Sequence, residues 1–170
     1  MKHFLLLSAA VLLTGCSAKY TTNNIQNRSE NLVRDEPVVI SVPADGAYEG
    51  HAYSGSGSAT ASAVRAAFLK HSDTVTVLDD CADITCLKSH STTKRGYYVV
   101  PQILHWEERA TEWSGIPDQI EVKITVYDIA SDERLASTIL AGKSKLATFG
   151  GDHPQDLLPK PVNDYVNSLY

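Results

Sequence analysis

The sequence has no run of lysine or arginine residues. Its 15 basic residues are outnumbered by 20 acidic ones, which gives a formal net charge of −5 at pH 7. Proteins that bind nucleic acids neutralise phosphates with clustered lysine and arginine side chains. An acidic chain without such clusters is therefore not expected to bind nucleic acid.

Long apolar runs are also absent. The longest one, residues 4–13, contains a serine and falls well short of the roughly 20 residues that a helix needs to cross a bilayer. It follows the basic start Met1-Lys2-His3 and ends at small residues, which is the organisation of an export signal. We therefore predict that residues 1–15 are a signal peptide and not a membrane span.

Residues 13–16, with the sequence LTGC, resemble the lipobox of bacterial lipoproteins. The resemblance implies that Cys16 takes a diacylglyceryl group, becomes the first residue after cleavage and is acylated at its new amine. Two or more acyl chains anchor a protein stably, whereas one binds only marginally. In this family an aspartate after the cysteine retains the protein in the inner membrane. The resemblance therefore also implies that Ser17 permits transfer to the outer membrane. We predict a protein on the periplasmic face of the outer membrane; an ordinary secretory signal is the alternative.

Cysteine is scarce, with 3 in the chain, so only Cys81 and Cys86 remain besides Cys16. An exported protein meets an oxidising compartment, and these two are therefore predicted to form a disulfide. A fully helical segment 81–86 would hold their Cα atoms roughly 8–9 Å apart, beyond the ~7 Å that a disulfide tolerates. Cys81 is thus expected before a helix, with Asp83 as its cap and Cys86 in its first turn. A metal or redox site is the weaker alternative, because zinc needs more ligands and thioredoxin-like chemistry uses C-x-x-C. No metal or cofactor is predicted.

Residues 16–36 are polar, rich in Asn, Ser and Thr, and show neither helical nor strand periodicity. They predict a flexible tether, whose root-mean-square span would be about 25 Å. The remaining length, residues 37–170, suits a single periplasmic domain.

Within that domain, short β-rich runs at 38–42 and 74–78 predict strands. Between them, a helix is predicted, with Ser56 or Ser58 as its N-cap. The residues on its buried face recur at helical spacing: Ala63, Val64, Ala67, Phe68 and His71. A weak helix is predicted after the cysteines, to about Lys94. A strand follows at 97–106, where Pro101 indicates an edge position or a bulge.

The clearest alternation, at 119–127, predicts a half-buried strand that pairs as a hairpin with a strand over 134–146. A C-terminal helix from near Pro161 has one apolar stripe, formed by Val162, Tyr165, Val166 and Leu169. The order β-α-β-α-β-β-β-α predicts an α/β (α+β) fold, a two-layer sandwich with a mixed sheet of about five strands.

Two groups of residues are candidates for an interaction surface. Tyr48, His51 and Tyr53 lie in a loop rich in glycine and serine, which is either a ligand lip or a plain connection. Trp106 and Trp113 flank a charged segment between two strands and are either part of the core or interface anchors.

Patterns of catalytic chemistry are weak. The segment 55–58 (GSGS) lacks the strand and tight turn of a G-x-S-x-G nucleophile elbow. His105 and Glu107 share a strand face without a third metal ligand, which indicates a solvated strand end. The segment 150–153 (GGDH) lacks the spacing and lysine of a P-loop, which favours a turn with a helix cap. No enzymatic activity is predicted.

The part of the chain over 97–170 resembles a proteobacterial lipoprotein family of unknown function, through residues 99–107 (VVPQILHWE), 120–128 and 149–154 (FGGDHP). In strand order the domain is also similar to the amino-terminal domain of TolB and to LpoB, which are protein-binding modules of the envelope. We expect a membrane-anchored, non-enzymatic module that docks on another envelope protein. The alternatives are a small-ligand binder, which uses the loop at 48–53 with the turn at 150–153, and a cryptic hydrolase.

Overall fold

The computed structural model describes residues 18–26, 30–109, 115–145 and 153–170. The predicted signal peptide, Cys16 and Trp113 lie outside the described residues. So do residues 146–152, which include the first three positions of the predicted 150–153 turn.

Eight strands and three α-helices follow one another along the described chain. The strands are β1 Lys19–Gln26, β2 Val38–Ser41, β3 Ala47–Tyr48, β4 His51–Ala52, β5 Val75–Leu78, β6 Tyr97–Glu107, β7 Gln119–Asp128 and β8 Arg134–Lys143. The helices are α1 Ser56–Phe68, α2 Ile84–His90 and α3 Pro159–Leu169, and a 3-10 helix, Pro154–Leu157, precedes α3.

Six strands form one mixed sheet in the order β1-β8-β7-β6-β2-β5, and β3 and β4 form a small separate hairpin. Pairing is antiparallel from β1 to β6, and β2 is parallel to both β6 and β5. Helices α1 and α3 pack on one face of this sheet, whereas α2 covers the parallel end of the other. The predicted α/β fold with a mixed sheet is confirmed, with one strand more in the sheet.

The main core lies between the sheet and helices α1 and α3. Alternation along β7 directs four β-branched residues at that core, where each is almost fully buried: Ile120, Val122, Ile124 and Val126. The predicted stripe of α3 meets them from the other side, and Val162, Tyr165, Val166 and Leu169 are buried as expected. Burial of such side chains contributes roughly 1.5–3 kcal/mol each.

The tether predicted over 16–36 is wrong for Lys19–Gln26, which forms the edge strand β1 paired with β8. Six of its eight residues are exposed, so it has no burial alternation to recognise in the sequence. Leu32, farther along, is buried and donates its backbone N–H to Leu169. The fold therefore begins within a few residues of Cys16.

The predicted cap of α1 is also wrong. Gly55 is the N-cap, in the left-handed conformation with φ of 86°, while Ser56 lies inside the helix. Pro101 was expected at an edge or a bulge. The β2–β6 ladder ends at Val99, and the β6–β7 register shifts between Ile103 and His105, so Pro101 lies between the two features.

Candidate functional site

The end of the sheet where β6 stops brings most of the predicted interaction residues together. A cavity of about 370 Å3 opens there, lined by His51, Tyr53, residues 54–56, Ala59, Trp106, Glu108 and Gln155, with Ala52 beside them. Trp106 is only 2% exposed and belongs to the main core. It is therefore a wall of the cavity and not an exposed interface anchor.

The β3–β4 hairpin carries the tyrosines and histidine of the predicted loop. The ring of Tyr48 meets the ring of His105 edge-on at 4.9 Å, and the guanidinium carbon of Arg109 lies 5.4 Å from the Tyr48 centroid. His51 and Tyr53 contact each other edge-on at 4.8 Å. These contacts attach the hairpin to the end of β6, so this loop is a structured rim of the cavity.

Glu107 is a buried carboxylate of this region, with 4% of the residue exposed. It accepts hydrogen bonds from Arg109 Nε, from His105 Nε2 at 3.0 Å and from Gln119 Nε2 at 3.4 Å. Burial alone would raise the pKa of Glu107, but the hydrogen bonds and charges of Arg109 and His105 outweigh it and hold the pKa below its usual value. The solvated strand end expected for His105 and Glu107 is therefore wrong for Glu107, whereas 30% of the His105 side chain is exposed.

The spacing of this cluster carried a signal that the sequence prediction did not use. His105, Glu107 and Arg109 alternate along the chain, and alternate residues of an extended strand share a face. A carboxylate held ionised by a guanidinium is a poor proton acceptor, so the cluster suits structural support better than general base catalysis.

Glu108 points to the opposite side and forms an ion pair with His153. Nδ1 of His153 lies 2.7 Å from Oε1 of Glu108, and this hydrogen bond raises the pKa of His153 above its ordinary value. The backbone N–H of Glu108 also donates to the hydroxyl of Tyr53 at 3.4 Å. His153, the described residue of the predicted 150–153 turn, is thus linked to the cavity rim through Glu108.

The N-terminus of α1 borders the same cavity. The carboxylate of Asp45 accepts hydrogen bonds from the backbone N–H of Gly57 at 2.8 Å and of Gly55 at 3.1 Å. These bonds lower the pKa of Asp45. Helix N-termini often bind anions, but here a carboxylate of the chain already occupies that position. The cavity is therefore poorly suited to a phosphate or a carboxylate ligand.

The predicted disulfide between Cys81 and Cys86 is present, with Cα atoms 5.2 Å apart. Asp83 caps α2 by accepting the N–H of Cys86 at 2.9 Å, and Cys86 lies in the first turn, as the spacing argument required. Nδ1 of His90 lies 3.5 Å from the Cys86 sulfur. Both sulfurs are used in the disulfide, so this group does not form a metal centre in the oxidised protein.

A second groove, of about 520 Å3, lies on the face of the sheet that α2 leaves open. Its lining comes from the ends of four strands: Lys19, Thr21, His105, Gln119, Ile120, Glu121, Ala141, Gly142 and Lys143. Lys19, Lys143 and Gln119 are register partners across β1, β8 and β7. The sequence prediction missed the pairing of Lys19 with Lys143 because it placed Lys19 in a tether and not in a strand beside β8.

A family described as "Domain of unknown function (DUF4823)" matches residues 30–169. The chain belongs to the DUF4823 family. The predicted likeness to a family of unknown function is thereby confirmed, and the likeness to TolB and LpoB stays a prediction. No curated protein matches the chain.

Solved structures share the fold of this DUF4823 protein, among them a PelC dodecamer and a DUF330 protein. The PelC dodecamer from Paraburkholderia phytofirmans has a TM-score of 0.65 at 10% identity, over 89% of this chain and 96% of that one. A DUF330 protein from Xanthomonas campestris has a TM-score of 0.53 at 11% identity, over 85% and 90%. At such identities the likeness shows the fold alone.

Proposed function

We propose that this DUF4823 protein is a lipoprotein of the outer membrane that docks on another envelope protein and catalyses no reaction. The observation that carries the proposal is the outer edge of β1. This strand ends the sheet, and no described strand pairs with its outer side. Free backbone N–H and C=O groups on such an edge can pair with an added strand of a partner.

The composition of β1 supports docking at this edge. Sheet edges are commonly protected against pairing by proline, by charged residues or by a very short strand. β1 has 8 residues, contains no proline and carries a single charge, on Lys19 at its first position. From Thr21 to Asn24, before the register with β8 shifts, the outer side of β1 has no described strand beside it, over roughly 13 Å.

The lipid anchor rests on the LTGC sequence at 13–16 and on the export signal before it. None of the helices in the described part of the chain has the length and apolar character that a bilayer span requires. Acylation of Cys16 would supply the membrane attachment that these helices do not.

Small-ligand binding is the second candidate, favoured by the cavity beside the β3–β4 hairpin. Its volume of about 370 Å3 falls at the lower end of the ~300–1,000 Å3 of small-molecule sites. Asp45 already satisfies the helix end at its border, which leaves few groups to orient a ligand. Docking at the β1 edge therefore ranks first.

Site-specific photocrosslinking in intact cells tests the proposal. A photoreactive residue at Thr21 or Asn23, both exposed on β1, should form a discrete adduct with one protein, identified by mass spectrometry. The control is Ala66, exposed on α1. Because the PelC structure is a dodecamer, an adduct of twice the chain mass would identify the partner as a second copy. Adducts at Ala66 alone, or at none of the three positions, would contradict the proposal.

A further inference from the structure

We infer that one end of the sheet of this protein contacts an anionic lipid surface. That end, the anchor end, is formed by Lys19 of β1, Glu107 of β6, Gln119 of β7 and Lys143 of β8. The inference rests on the proposed lipidation of Cys16, because the acyl chains fix which part of the fold the bilayer meets.

The chain between Cys16 and the first strand is short. Ala18 is the first described residue and β1 starts at Lys19. Two residue steps separate Cys16 from Ala18, and fully extended chain spans at most about 7 Å over two residues. A tether of about 25 Å would leave the domain free to turn, whereas a link this short keeps the start of β1 at the lipid surface.

The strand register then identifies what else lies at that surface. Lys19 is opposite Lys143, Lys143 is opposite Gln119, and Gln119 is opposite Glu107. These four residues form one row across the sheet, so all four strand ends lie level with the start of β1. The β7–β8 turn lies at the other end, about 30 Å away along the ten residues of β7.

The exposed lysines at the anchor end indicate which kind of lipid it contacts. Lys19 and Lys143 of the anchor end, and Lys145 two residues beyond β8, are exposed, and none of the three forms an ion pair with another described residue. The acidic residues beside them are Glu107, which is buried and paired with Arg109, and Glu121, which is half-buried. Lys19 and Lys143 lie directly opposite each other, and like charges in such a pair destabilise a sheet. An anionic bilayer surface attracts basic residues near it and would relieve this repulsion.

This orientation leaves the β1 edge available to a partner. The strands run away from the bilayer, so the outer edge of β1 extends into the periplasm and only its Lys19 end meets lipid. Docking at the edge and contact with the membrane are therefore compatible.

Fluorescence quenching by lipid tests the orientation in the lipidated full-length protein, reconstituted in phosphatidylethanolamine and phosphatidylglycerol vesicles. An environment-sensitive dye is attached to Ile116→Cys, three residues before β7, or to Ala130→Cys in the β7–β8 turn; both positions are exposed. Vesicles that contain nitroxide-labelled lipid quench dyes near the bilayer. Since the two sites lie about 30 Å apart along the strand, we expect quenching at Ile116→Cys to be at least about twofold stronger.

The K143Q/K145Q variant should reduce this difference in quenching, and vesicles without phosphatidylglycerol should do the same. K88Q/K94Q is the matched control, because Lys88 pairs with Asp132 of the β7–β8 turn and Lys94 precedes β6, both at the far end. Equal quenching at the two dyes, or stronger quenching at Ala130→Cys, would overturn the orientation while the protein still floats with the vesicles. Protein that carries no acyl chains by mass spectrometry and does not float would instead overturn the proposed anchoring, and the orientation with it.

Discussion

The carboxylate of Glu107 accepts a hydrogen bond from the guanidinium of Arg109, two residues farther along the chain. Only 5% of the Glu107 side chain is exposed, against 32% for Arg109. The guanidinium in turn lies over the ring of Tyr48 in the β3–β4 hairpin. One buried carboxylate thereby holds the end of β6 and the rim of the cavity together.

Glu107→Gln should lower the free energy of unfolding by about 2 kcal/mol at pH 7. Removing one partner of a fully buried ion pair costs about 3–5 kcal/mol, and Arg109, being partly exposed, can recover some hydration. Urea unfolding measures the change. Glu108→Gln is the control, since its pair with His153 is exposed on both sides and should contribute less than about 1 kcal/mol.

The same variant has a distinct pH dependence. The pKa of Glu107 in the folded chain lies below the ordinary value of 4.5, so its stabilising effect is present above that pH. It is lost as the pH falls through the folded pKa. The difference in stability between the wild type and Glu107→Gln should therefore shrink below about pH 4.5. A difference that stays constant down to pH 3, or an equal loss in Glu108→Gln, would contradict the role given to Glu107.

His153 should titrate with a pKa above the ordinary histidine value of 6.5, because Glu108 stabilises the protonated imidazole. Proton NMR of the ring measures this directly, and Glu108→Gln should move the midpoint back toward 6.5. A raised folded pKa gives stability that is present below the unfolded value and is lost as the pH rises through the folded one. The effect on unfolding should be small because both side chains are about half exposed. A midpoint that does not respond to Glu108→Gln would refute the pairing.

Elements encoded by local patterns were predictable from the sequence. The alternation of β7, the turn at 129–133 and the return of β8 lie within 25 residues of chain, and they form the predicted hairpin. The apolar stripe of α3 and the cap of α2 by Asp83 are likewise set by residues three or four positions apart. In each case the residues that pack or bond are close enough in sequence for spacing to reveal them.

Features that depend on distant partners were not predictable. Thr138 donates to the backbone of Asn23 across a separation of 115 residues, and β1 exists only because β8 is beside it. The cap of α1 comes from Asp45 in the loop after β2, and not from the serines that adjoin the helix. The burial of Glu107 depends on the hairpin and on the start of β7. The spacing of residues within a short segment does not indicate contacts with distant segments.

Asp45→Ala should destabilise the protein by about 1 kcal/mol, the usual cost of removing an N-terminal cap. Asp45→Asn should cost less, because its one amide oxygen can still accept the N–H of Gly57, although the N–H of Gly55 then loses its acceptor. Asp79→Ala is the control, an exposed aspartate with no side-chain bond to any other described residue. Because the folded pKa of Asp45 is lowered from 3.8, the effect of Asp45→Ala should diminish as the pH falls below that value. An equal cost for Asp79→Ala would contradict the capping role.

The Cys81–Cys86 disulfide should act as a local brace for α2. It closes a loop with a sequence separation of 5, for which loss of the crosslink should cost about 2 kcal/mol by chain entropy. Cys81→Ala/Cys86→Ala should therefore lower the free energy of unfolding by that amount without unfolding the domain. Hydrogen exchange should rise in α2, which packs against β2 and β6, and stay unchanged in α3. Cys81 belongs to the small cluster of Val39, Leu87 and Tyr98, on the other face of the sheet from α3. Faster exchange across α3 as well would therefore mean that the disulfide supports the main core and is not a local brace.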